Sequence, residues 1–277
     1  MPDKKTPERN KARRKGTDPQ DIQAMAERVD EAARQGQAID QFAAGTLNVS
    51  DAYAVQAASV ERRLRRGEAP IGIKLGFTSR AKMVQMGVED LIWGRLTDAM
   101  LVEEGGQIDL DAYVHPRVEP ELAFLIDKPL TGLVTLPQVQ AAIGAVAPAM
   151  EIIDSRYRDF KFDLPSVVAD NASSSGLVLG AWRRADLDIA NLGMVMSLDG
   201  EVRQVGSSAA ILGHPLRALV AAARLVAEAG MSLQPGDVVL AGAATAAEAL
   251  RPGQHVDLRV QYLGGAEFHV AGPGGAS

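Results

Sequence analysis

Apolar residues near the start of the chain recur at the three- and four-residue spacing of an amphipathic helix. Residues 22–33 carry this spacing, after Thr17-Asp-Pro, which offers a cap and a helix-initiating proline, and before Gly36. Residues 50–64 repeat it, from a Ser-Asp cap to a basic cluster. The pattern predicts a helical N-terminal region over residues 18–70.

From residue 71 the pattern changes to short apolar runs separated by Gly, Pro and Asp. Such runs predict a mixed, largely antiparallel β domain over residues 71–277. Asp199-Gly200 and Gln234-Pro-Gly-Asp are turn signals between strands. The runs lie at residues 71–75, 118–126, 149–153, 177–182, 194–198, 238–241 and 256–262.

Helical spacing returns between these runs. It predicts helices over residues 136–145, where Pro137 suits a first turn, and over residues 216–228, which Gly230 stops. A shorter helix is predicted over residues 80–86. The chain has no strand-helix alternation long enough for a doubly wound sheet, and no internal repeat. The predicted fold class is α+β.

Composition excludes several kinds of protein. Of the 277 residues, 47% are hydrophobic, yet no apolar stretch approaches the ~20 residues of a membrane span. The N-terminus lacks the apolar segment of a secretory signal. The chain has no cysteine, which fits a cytoplasmic protein and leaves oxygen and nitrogen as ligands for any metal.

Charge is distributed unevenly along the chain. The first 16 residues carry seven Lys or Arg and two acidic residues, whereas the whole chain has a net charge of −6, so its body is acidic. An acidic body with 4% aromatic residues lacks the basic surface and stacking platform of a nucleic-acid-binding protein. Residues 1–17 are predicted to be a disordered basic tail.

Two glutamates, Glu119 and Glu121, stand out within the run at residues 118–126. Residues i and i+2 share one face of a strand, with Cα atoms roughly 6.5 Å apart, so two such carboxylates can hold one cation. Glu151 lies in a run otherwise free of charge and can complete a triad. Three carboxylates in one cleft repel one another unless a divalent metal neutralises them, so the sequence indicates a hard, oxygen-ligated metal.

A simpler interpretation of Glu-x-Glu is a strand with one face in water. The context weakens it, because Val118 and Leu122 give the strand an apolar opposite face. Pro120 also suits a strand only at an edge, a start or a bulge. Glu151 is the stronger indication, since an isolated buried carboxylate costs far more than a paired or metal-bound one.

Lys74 is the second candidate for chemistry, because apolar residues and glycines flank it at the end of a predicted strand. Near a metal, a desolvated lysine can act as an acid, a base or a cation that holds a carboxylate. A lysine on the solvent face of an edge strand is an equal alternative.

The polar segment Asp170-Asn-Ala-Ser-Ser-Ser-Gly has two interpretations. Such segments can present amides and hydroxyls to anions, although an ordinary turn is more common. A single histidine such as His115 is more often structural than a ligand. Dinucleotide-binding, phosphate-binding and serine-hydrolase motifs are absent from the sequence.

Five blocks of sequence occur together, from about residue 20 to the C-terminus. They are Gly72-Ile-Lys-Leu-Gly-Phe-Thr-Ser, Gly94-Arg-Leu-Thr-Asp-Ala-Met, His115-Pro-Arg-Val-Glu-Pro-Glu, Glu151-Ile-Ile-Asp-Ser-Arg and Asp170-Asn-Ala-Ser-Ser-Ser-Gly. Together they resemble the hydratase/decarboxylase family of aromatic meta-cleavage pathways, within the fumarylacetoacetate-hydrolase superfamily. The first three blocks are more similar to its decarboxylases than to its hydratases.

The resemblance implies a mixed β-roll with a helical N-terminal region and a site for Mg²⁺ or Mn²⁺. Glu119, Glu121 and Glu151 fall on the family's metal ligands. Lys74 falls on its active-site lysine. The candidates for holding substrate carboxylates are Arg117, Arg156, Ser173, Ser174 and Ser175.

The implied activity is decarboxylation of 2-oxo-3-hexenedioate to 2-hydroxypenta-2,4-dienoate and CO₂. Hydration of 2-oxopent-4-enoate is the alternative within the family, and a non-catalytic organic-acid-binding subunit is the alternative of another class. The resemblance also implies a homo-oligomer and a complex with a cognate hydratase, since the dienol product is unstable in water. Neither nucleic acid nor a membrane is an expected partner.

Overall fold

The structure, a computed structural model, describes residues 16–78 and 91–272. Its N-terminal region contains α1 (Pro19–Gln35) and α2 (Val49–Arg65). The Asp18 side chain accepts a hydrogen bond from the Gln20 N–H at 2.8 Å and caps α1, and left-handed Gly36 ends it, as predicted. The cap of α2 is Asn48 and not the predicted Ser50, because the Asn48 side chain accepts the Asp51 N–H.

The rest of the described chain contains strands, short 3-10 helices and three further α-helices. The helices are α3 (Leu136–Ala142), α4 (Leu164–Ala169) and α5 (Leu216–Glu228). The strands are β1 (Pro70–Gly76), β2 (Ile92–Thr97), β3 (Leu101–Val102), β4 (Gln107–Ile108), β5 (Arg117–Ile126), β6 (Ile143–Ile153), β7 (Ser174–Leu179), β8 (Arg183–Arg184), β9 (Gly193–Leu198), β10 (Glu201–Ser207), β11 (Val238–Leu240), β12 (Glu248–Ala249), β13 (His255–Val260) and β14 (Gly264–Val270).

Within the described ranges these strands form two sheets. Nine strands form the first, in the order β2-β1-β11-β5-β6-β7-β3, with β12 beside β5 and β8 beside β6. Five form the second, in the order β10-β9-β13-β14-β4. Most pairs are antiparallel, whereas β1–β11, β3–β7 and β4–β14 are parallel. Helices and curled mixed sheets together confirm the predicted α+β class.

The two faces of β5 meet different surroundings. Val118, Leu122 and Phe124 point into the main core, to which both sheets and α5 contribute. Ala123, on the face that carries Glu119 and Glu121, belongs to a smaller apolar cluster. The other buried members of that cluster are Leu96, Met100, Ala147, Ala149, Leu177, Val238 and Leu240.

Several predicted boundaries were wrong. The helix predicted over residues 136–145 ends at Ala142, because the chain from Ile143 pairs with β5 as part of β6. The run predicted at residues 177–182 forms β7, which begins at Ser174. The apolar runs did not predict β2, β10 and β14, whose glycines and charged residues interrupt the pattern.

Some predictions fall outside the described residues. They are the helix over residues 80–86 and most of the basic tail. None of the helices in the described part of the chain has the length and apolar character needed to cross a membrane.

Candidate metal centre

Three buried glutamates on two neighbouring strands form the acidic cluster, defined as Glu119, Glu121 and Glu151. Glu119 and Glu121 share one face of β5, and Glu151 on β6 lies directly opposite Glu119 in antiparallel register. One carboxylate oxygen of each residue lies within 4.8 Å of the other two. The structure thus brings together the three carboxylates that the sequence singled out.

Burial disfavours the ionised form of this cluster. Glu121 and Glu151 have no exposed surface. Burial raises the pKa of Glu121 well above its usual range, and the Glu151 charge raises it further. The Lys74 charge and the hydrogen bond from the Gly242 N–H lower the pKa of Glu121 and partly oppose this shift. Burial also raises the pKa of Glu151, against the lowering influence of Lys74.

The donor set fits a hard divalent cation. Buried carboxylates at this spacing are costly unless opposite charge neutralises them, and Mg²⁺ and Mn²⁺ prefer such oxygen ligands. Across residues 16–78 and 91–272, no other group of three His, Cys, Asp or Glu side chains has ligand atoms so close together. The cluster contains no imidazole or thiolate, which zinc and copper favour.

Lys74 reaches the acidic cluster across the curled sheet. β11 and β5 separate β1 from β6, so in a flat sheet the backbones of β1 and β6 would lie about 14 Å apart. The Lys74 Nζ nevertheless lies 2.9 Å from Oε1 and 3.0 Å from Oε2 of Glu151. Lys74 is 3% exposed, so the alternative of a lysine on a solvent face was wrong.

The chain between β11 and β12, residues 241–247, borders the acidic cluster. The N–H of Gly242 donates to Oε2 of Glu121 at 2.8 Å. The N–H of Ala244 donates to the carbonyl oxygen of Pro120 at 2.9 Å. The backbone N and O of a strand residue point to the same side of the strand, so the nitrogen of Pro120 also faces this irregular segment. No neighbouring strand there needs a hydrogen bond from a backbone N–H, which proline lacks. Pro120 therefore lies inside β5, and not at the predicted edge, start or bulge.

Arg117 lies on the cluster's face of β5, two residues before Glu119. Its side chain is exposed, and its guanidinium stacks on the Phe160 ring, 5.0 Å from the centroid. None of the ion pairs within the described ranges involves Arg117. His115 contacts the same ring, with centroids 5.1 Å apart, and is not part of the acidic cluster.

Arg156, in contrast, is buried against Asp170. Its backbone N–H and its Nε donate to the two carboxylate oxygens, and Nη2 donates to the Asp170 carbonyl oxygen at 2.6 Å. Nη1 donates to Oγ of Ser175 at 2.5 Å. Burial raises the pKa of Asp170 to about 6, although Arg156 partly opposes that shift. The role of Arg156 in holding a substrate carboxylate stays a prediction.

Residues 171–173 form a left-handed turn between α4 and β7. Their φ angles are 49°, 52° and 61°, and the left-handed conformation costs a non-glycine residue about 1–2 kcal/mol. The Asn171 side chain accepts the Arg95 N–H at 2.8 Å and donates to the Arg95 carbonyl oxygen at 2.9 Å. This amide takes the place of a neighbouring strand at the edge of β2. A Cβ at Gly94 would lie 2.5 Å from the Asn171 carbonyl oxygen, so the approach requires glycine.

The left-handed turn leads into the three predicted serines. Ser173 and Ser174 are buried, and the carbonyl oxygen of Ser173 accepts the Asp154 N–H at 2.8 Å. The hydroxyl oxygens of Ser173 and Ser174 are buried and have no hydrogen-bond partner within the described part of the chain. Ser175 contacts Arg156.

Comparison with known families supplies the remaining observation. The sequence profile of the fumarylacetoacetate (FAA) hydrolase C-terminal family matches residues 71–271, well over half of the chain. The chain belongs to this family.

Relatives of this FAA hydrolase family member include decarboxylases and hydratases. A 4-oxalocrotonate decarboxylase from Pseudomonas sp. is 59% identical over 252 residues, covering 91% of this chain and 98% of that protein. A TodF product hydratase from Pseudomonas putida strain F1 is 37% identical over 248 residues, covering 88% and 92%. The structure of 4-oxalocrotonate decarboxylase from Pseudomonas putida G7, complexed with magnesium and adipate, has a TM-score of 0.90 at 38% identity and covers 93% of this chain and 100% of that one.

Sequence reasoning missed three contributors to the site of this family member. Gly242 supplies a backbone N–H, which no side-chain pattern reveals. Asp170 and Asn171 were noted only as part of a polar segment, and not as partners of Arg156 and Arg95. Asp170 directly follows the apolar stretch Val167-Val168-Ala169. This position was the available signal that Asp170 is buried and needs a partner of opposite charge.

Proposed function

We propose that this chain is a divalent-metal-dependent decarboxylase that converts 2-oxo-3-hexenedioate (4-oxalocrotonate) to 2-hydroxypenta-2,4-dienoate and CO₂. The observation that carries the proposal is the buried contact of Lys74 with a carboxylate cluster fitted to a hard cation. Identity of 59% to a 4-oxalocrotonate decarboxylase, against 37% to a hydratase, supports decarboxylation over hydration.

Glu119, Glu121 and Glu151 are the proposed ligands of Mg²⁺ or Mn²⁺. A bound cation of this kind supplies Lewis acidity toward the 2-oxo acid end of the substrate. The complex of the Pseudomonas putida G7 decarboxylase with magnesium and adipate, a six-carbon dicarboxylate, supports both the cation and the substrate class.

Lys74 is the proposed proton carrier. When the C5–C6 bond breaks, its electron pair forms the C4–C5 double bond, the C3–C4 double bond shifts to C2–C3, and the 2-oxo oxygen gains the charge. The Lys74 Nζ would donate a proton to that oxygen or stabilise its charge. The apolar cluster around Ala123 limits water on this face of the sheet, which strengthens both effects.

Arg117 is the better supported candidate for the distal carboxylate of the substrate. It lies two residues from Glu119, and its guanidinium rests on Phe160. Arg156 and Ser175 are weaker candidates, because they already bond to each other and Arg156 also bonds to Asp170. Ser173 and Ser174 would act closer to Glu151.

The test is turnover of 2-oxo-3-hexenedioate by the purified protein, with Mg²⁺ and with a chelator. Metal-dependent release of CO₂ is the expected result. Conversion of 2-hydroxypenta-2,4-dienoate to 4-hydroxy-2-oxopentanoate without CO₂ would instead identify a hydratase. Binding of adipate without any turnover under metal-replete conditions would identify a non-catalytic organic-acid-binding subunit.

We also propose a cytoplasmic homo-oligomer that associates with a cognate hydratase. The dienol product ketonises in water, so direct transfer to the next enzyme preserves it. Light scattering of the purified chain should give a mass above that of one 29.3 kDa protomer. Separate elution of the co-expressed decarboxylase and hydratase at micromolar concentration would exclude the complex.

A further inference from the structure

We infer that Phe160 is a positioning residue for Arg117, because its ring holds the guanidinium in place for the distal carboxylate of the substrate. The inference rests on the proposed function, in which Arg117 takes that carboxylate. It gives a role to a ring that the sequence did not single out and that is not a metal ligand.

Phe160 lies under the guanidinium of Arg117. The distance from Arg117 Cζ to the ring centroid is 5.0 Å, within the range of a cation–π contact. Arg117 is the register partner of Ile153 at the end of β6, and the chain that follows β6 continues to Phe160. The ring therefore supports the arginine that is two residues from Glu119 on the same face of β5.

The backbone that precedes Phe160 is held in place by contacts outside β5. Tyr157 is fully buried. The Ile39 N–H donates to the Arg156 carbonyl oxygen at 2.8 Å, and the Arg158 N–H donates to the Ile39 carbonyl oxygen at 2.9 Å. The Phe160 N–H donates to the Tyr157 carbonyl oxygen at 3.1 Å. These contacts fix where the ring can lie.

The backbone of Phe160 is strained, and core packing does not account for the strain. The φ angles of Asp159 and Phe160 are 60° and 56°, and a positive φ is an outlier for a bulky residue. Within the described ranges, Phe160 belongs to none of the three apolar core clusters. Its ring instead contacts Arg117, His115 at 5.1 Å and Phe162 at 5.7 Å. Strain of this kind is typical of functional sites.

A ring in this position leaves the Arg117 guanidinium able to bind a carboxylate. Stacking uses the face of the planar group, whereas its N–H donors lie in the plane. Arg117 is exposed and takes part in no ion pair in the part of the chain that the structure describes. An exposed arginine has many rotamers, so a ring that holds one of them reduces the entropy lost when a carboxylate binds.

The experiment compares the Kd of adipate with the Kd of hexanoate, by calorimetry of the full-length chain at saturating Mg²⁺. The two acids have the same length, and only adipate has a distal carboxylate. Phe160→Leu removes the ring and Phe160→Tyr keeps it, while both keep a side chain at the left-handed position. Phe42→Leu is the matched control, because Phe42 also lies under an arginine, with Cζ of Arg28 5.6 Å from the ring centroid.

The Kd of adipate should rise about 5-fold in Phe160→Leu, the size of one cation–π contact, while the Kd values of hexanoate and of Mg²⁺ stay parental. Phe160→Tyr should bind adipate like the parent. In Arg117→Gln, which has already lost the guanidinium, adding Phe160→Leu should not change the Kd of adipate further. Phe42→Leu should lower the thermal midpoint and keep the parental Kd of adipate.

A Kd of adipate that is unchanged in Phe160→Leu, or that rises equally for hexanoate, would overturn the inference and leave Phe160 a structural residue. Effects of Phe160→Leu and Arg117→Gln that add in the double variant would overturn it too. If Phe160→Leu does not fold, Phe160→Met makes the same comparison.

The binding measurements need no turnover, so they test Phe160 separately from the proposed decarboxylation. A parent that binds adipate no tighter than hexanoate overturns the inference, whether or not the chain decarboxylates 2-oxo-3-hexenedioate.

Discussion

Lys74 and the glutamates share one buried cluster, yet their removal should have different consequences. Glu119→Gln or Glu151→Gln removes a charged oxygen ligand and should weaken Mg²⁺ binding, with partial rescue by excess metal. Lys74→Ala removes a positive charge 2.9 Å from Glu151, so Mg²⁺ binding should hold or tighten while turnover falls by about 10²-fold or more. Calorimetric titration with Mg²⁺ beside steady-state rates separates the two cases.

The assignment of the cluster fails if Lys74→Ala keeps near-parental turnover. It fails equally if Glu119→Gln and Glu151→Gln bind Mg²⁺ as tightly as the parent.

The two candidate arginines differ in burial, and their variants should differ accordingly. Arg117→Gln should raise the KM for 2-oxo-3-hexenedioate by about 10-fold or more and change stability by less than about 0.5 kcal/mol, because Arg117 is exposed. Arg156→Gln should lower the free energy of unfolding by about 3–5 kcal/mol, since it leaves Asp170 buried without its cation. Arg184→Gln, at an exposed pair with Asp186, is the control for both measurements.

Steady-state kinetics and urea denaturation report the two effects. An unchanged KM in Arg117→Gln would remove Arg117 from the distal carboxylate.

At the scale of elements, the sequence predicted β5, the second half of β6 and α5, because apolar runs or strong helical spacing define them. The two glutamates on β5 could be placed on one face because the side-chain period of a strand is fixed. The left-handed turn could not be predicted, since consecutive positive φ angles in non-glycine residues have no local signature. The partner of Asn171 lies 76 residues away in sequence, which no local pattern shows.

The irregular segment between β11 and β12 should be sensitive to a single methyl group. Gly242 has a φ angle of 101°, and a Cβ there would lie 2.2 Å from Oγ1 of Thr78. Gly253→Ala is the control, because Gly253 also has a positive φ, 80°, with open space around it. Gly253→Ala should lower the free energy of unfolding by about 1–2 kcal/mol, because alanine is strained at a positive φ angle. Gly242→Ala should lower it by at least about 1–3 kcal/mol more, because the added methyl group overpacks against Thr78.

Gly242→Ala should also weaken Mg²⁺ binding, because the Gly242 N–H holds Glu121. Urea denaturation and metal titration of both variants check this. Equal costs for the two substitutions would contradict the close approach of Thr78.

At the scale of the whole molecule, Asp170 makes folding stability depend on pH in an unusual direction. Its pKa in the folded chain is raised to about 6, above the ordinary value near 4, so between these values the folded chain binds more protons than the unfolded chain. Its contribution to stability therefore increases as pH falls from about 6 to 4, by at most about 3 kcal/mol. A carboxylate with a lowered pKa behaves in the opposite way.

Urea denaturation of the parent and of Asp170→Asn at pH 7 and pH 4.5 isolates this contribution. The difference in free energy of unfolding between the two proteins should shift in favour of the parent at the lower pH. A difference that is the same at both pH values would exclude Asp170 as the group responsible.

The contact of Lys74 with Glu151 joins residues 77 positions apart and depends on the curl of the nine-stranded sheet. The ligand Glu121 is also held by the N–H of Gly242, 121 positions further along the chain, so the metal ligands are fixed in place only after these distant segments have come together. Mg²⁺ should therefore slow unfolding and leave the rate of refolding unchanged, which stopped-flow measurements with and without Mg²⁺ can separate. Faster refolding in Mg²⁺ would mean that the glutamates assemble early. If Mg²⁺ slows unfolding alone, metal supply sets how long the folded chain lasts, and not how quickly it forms.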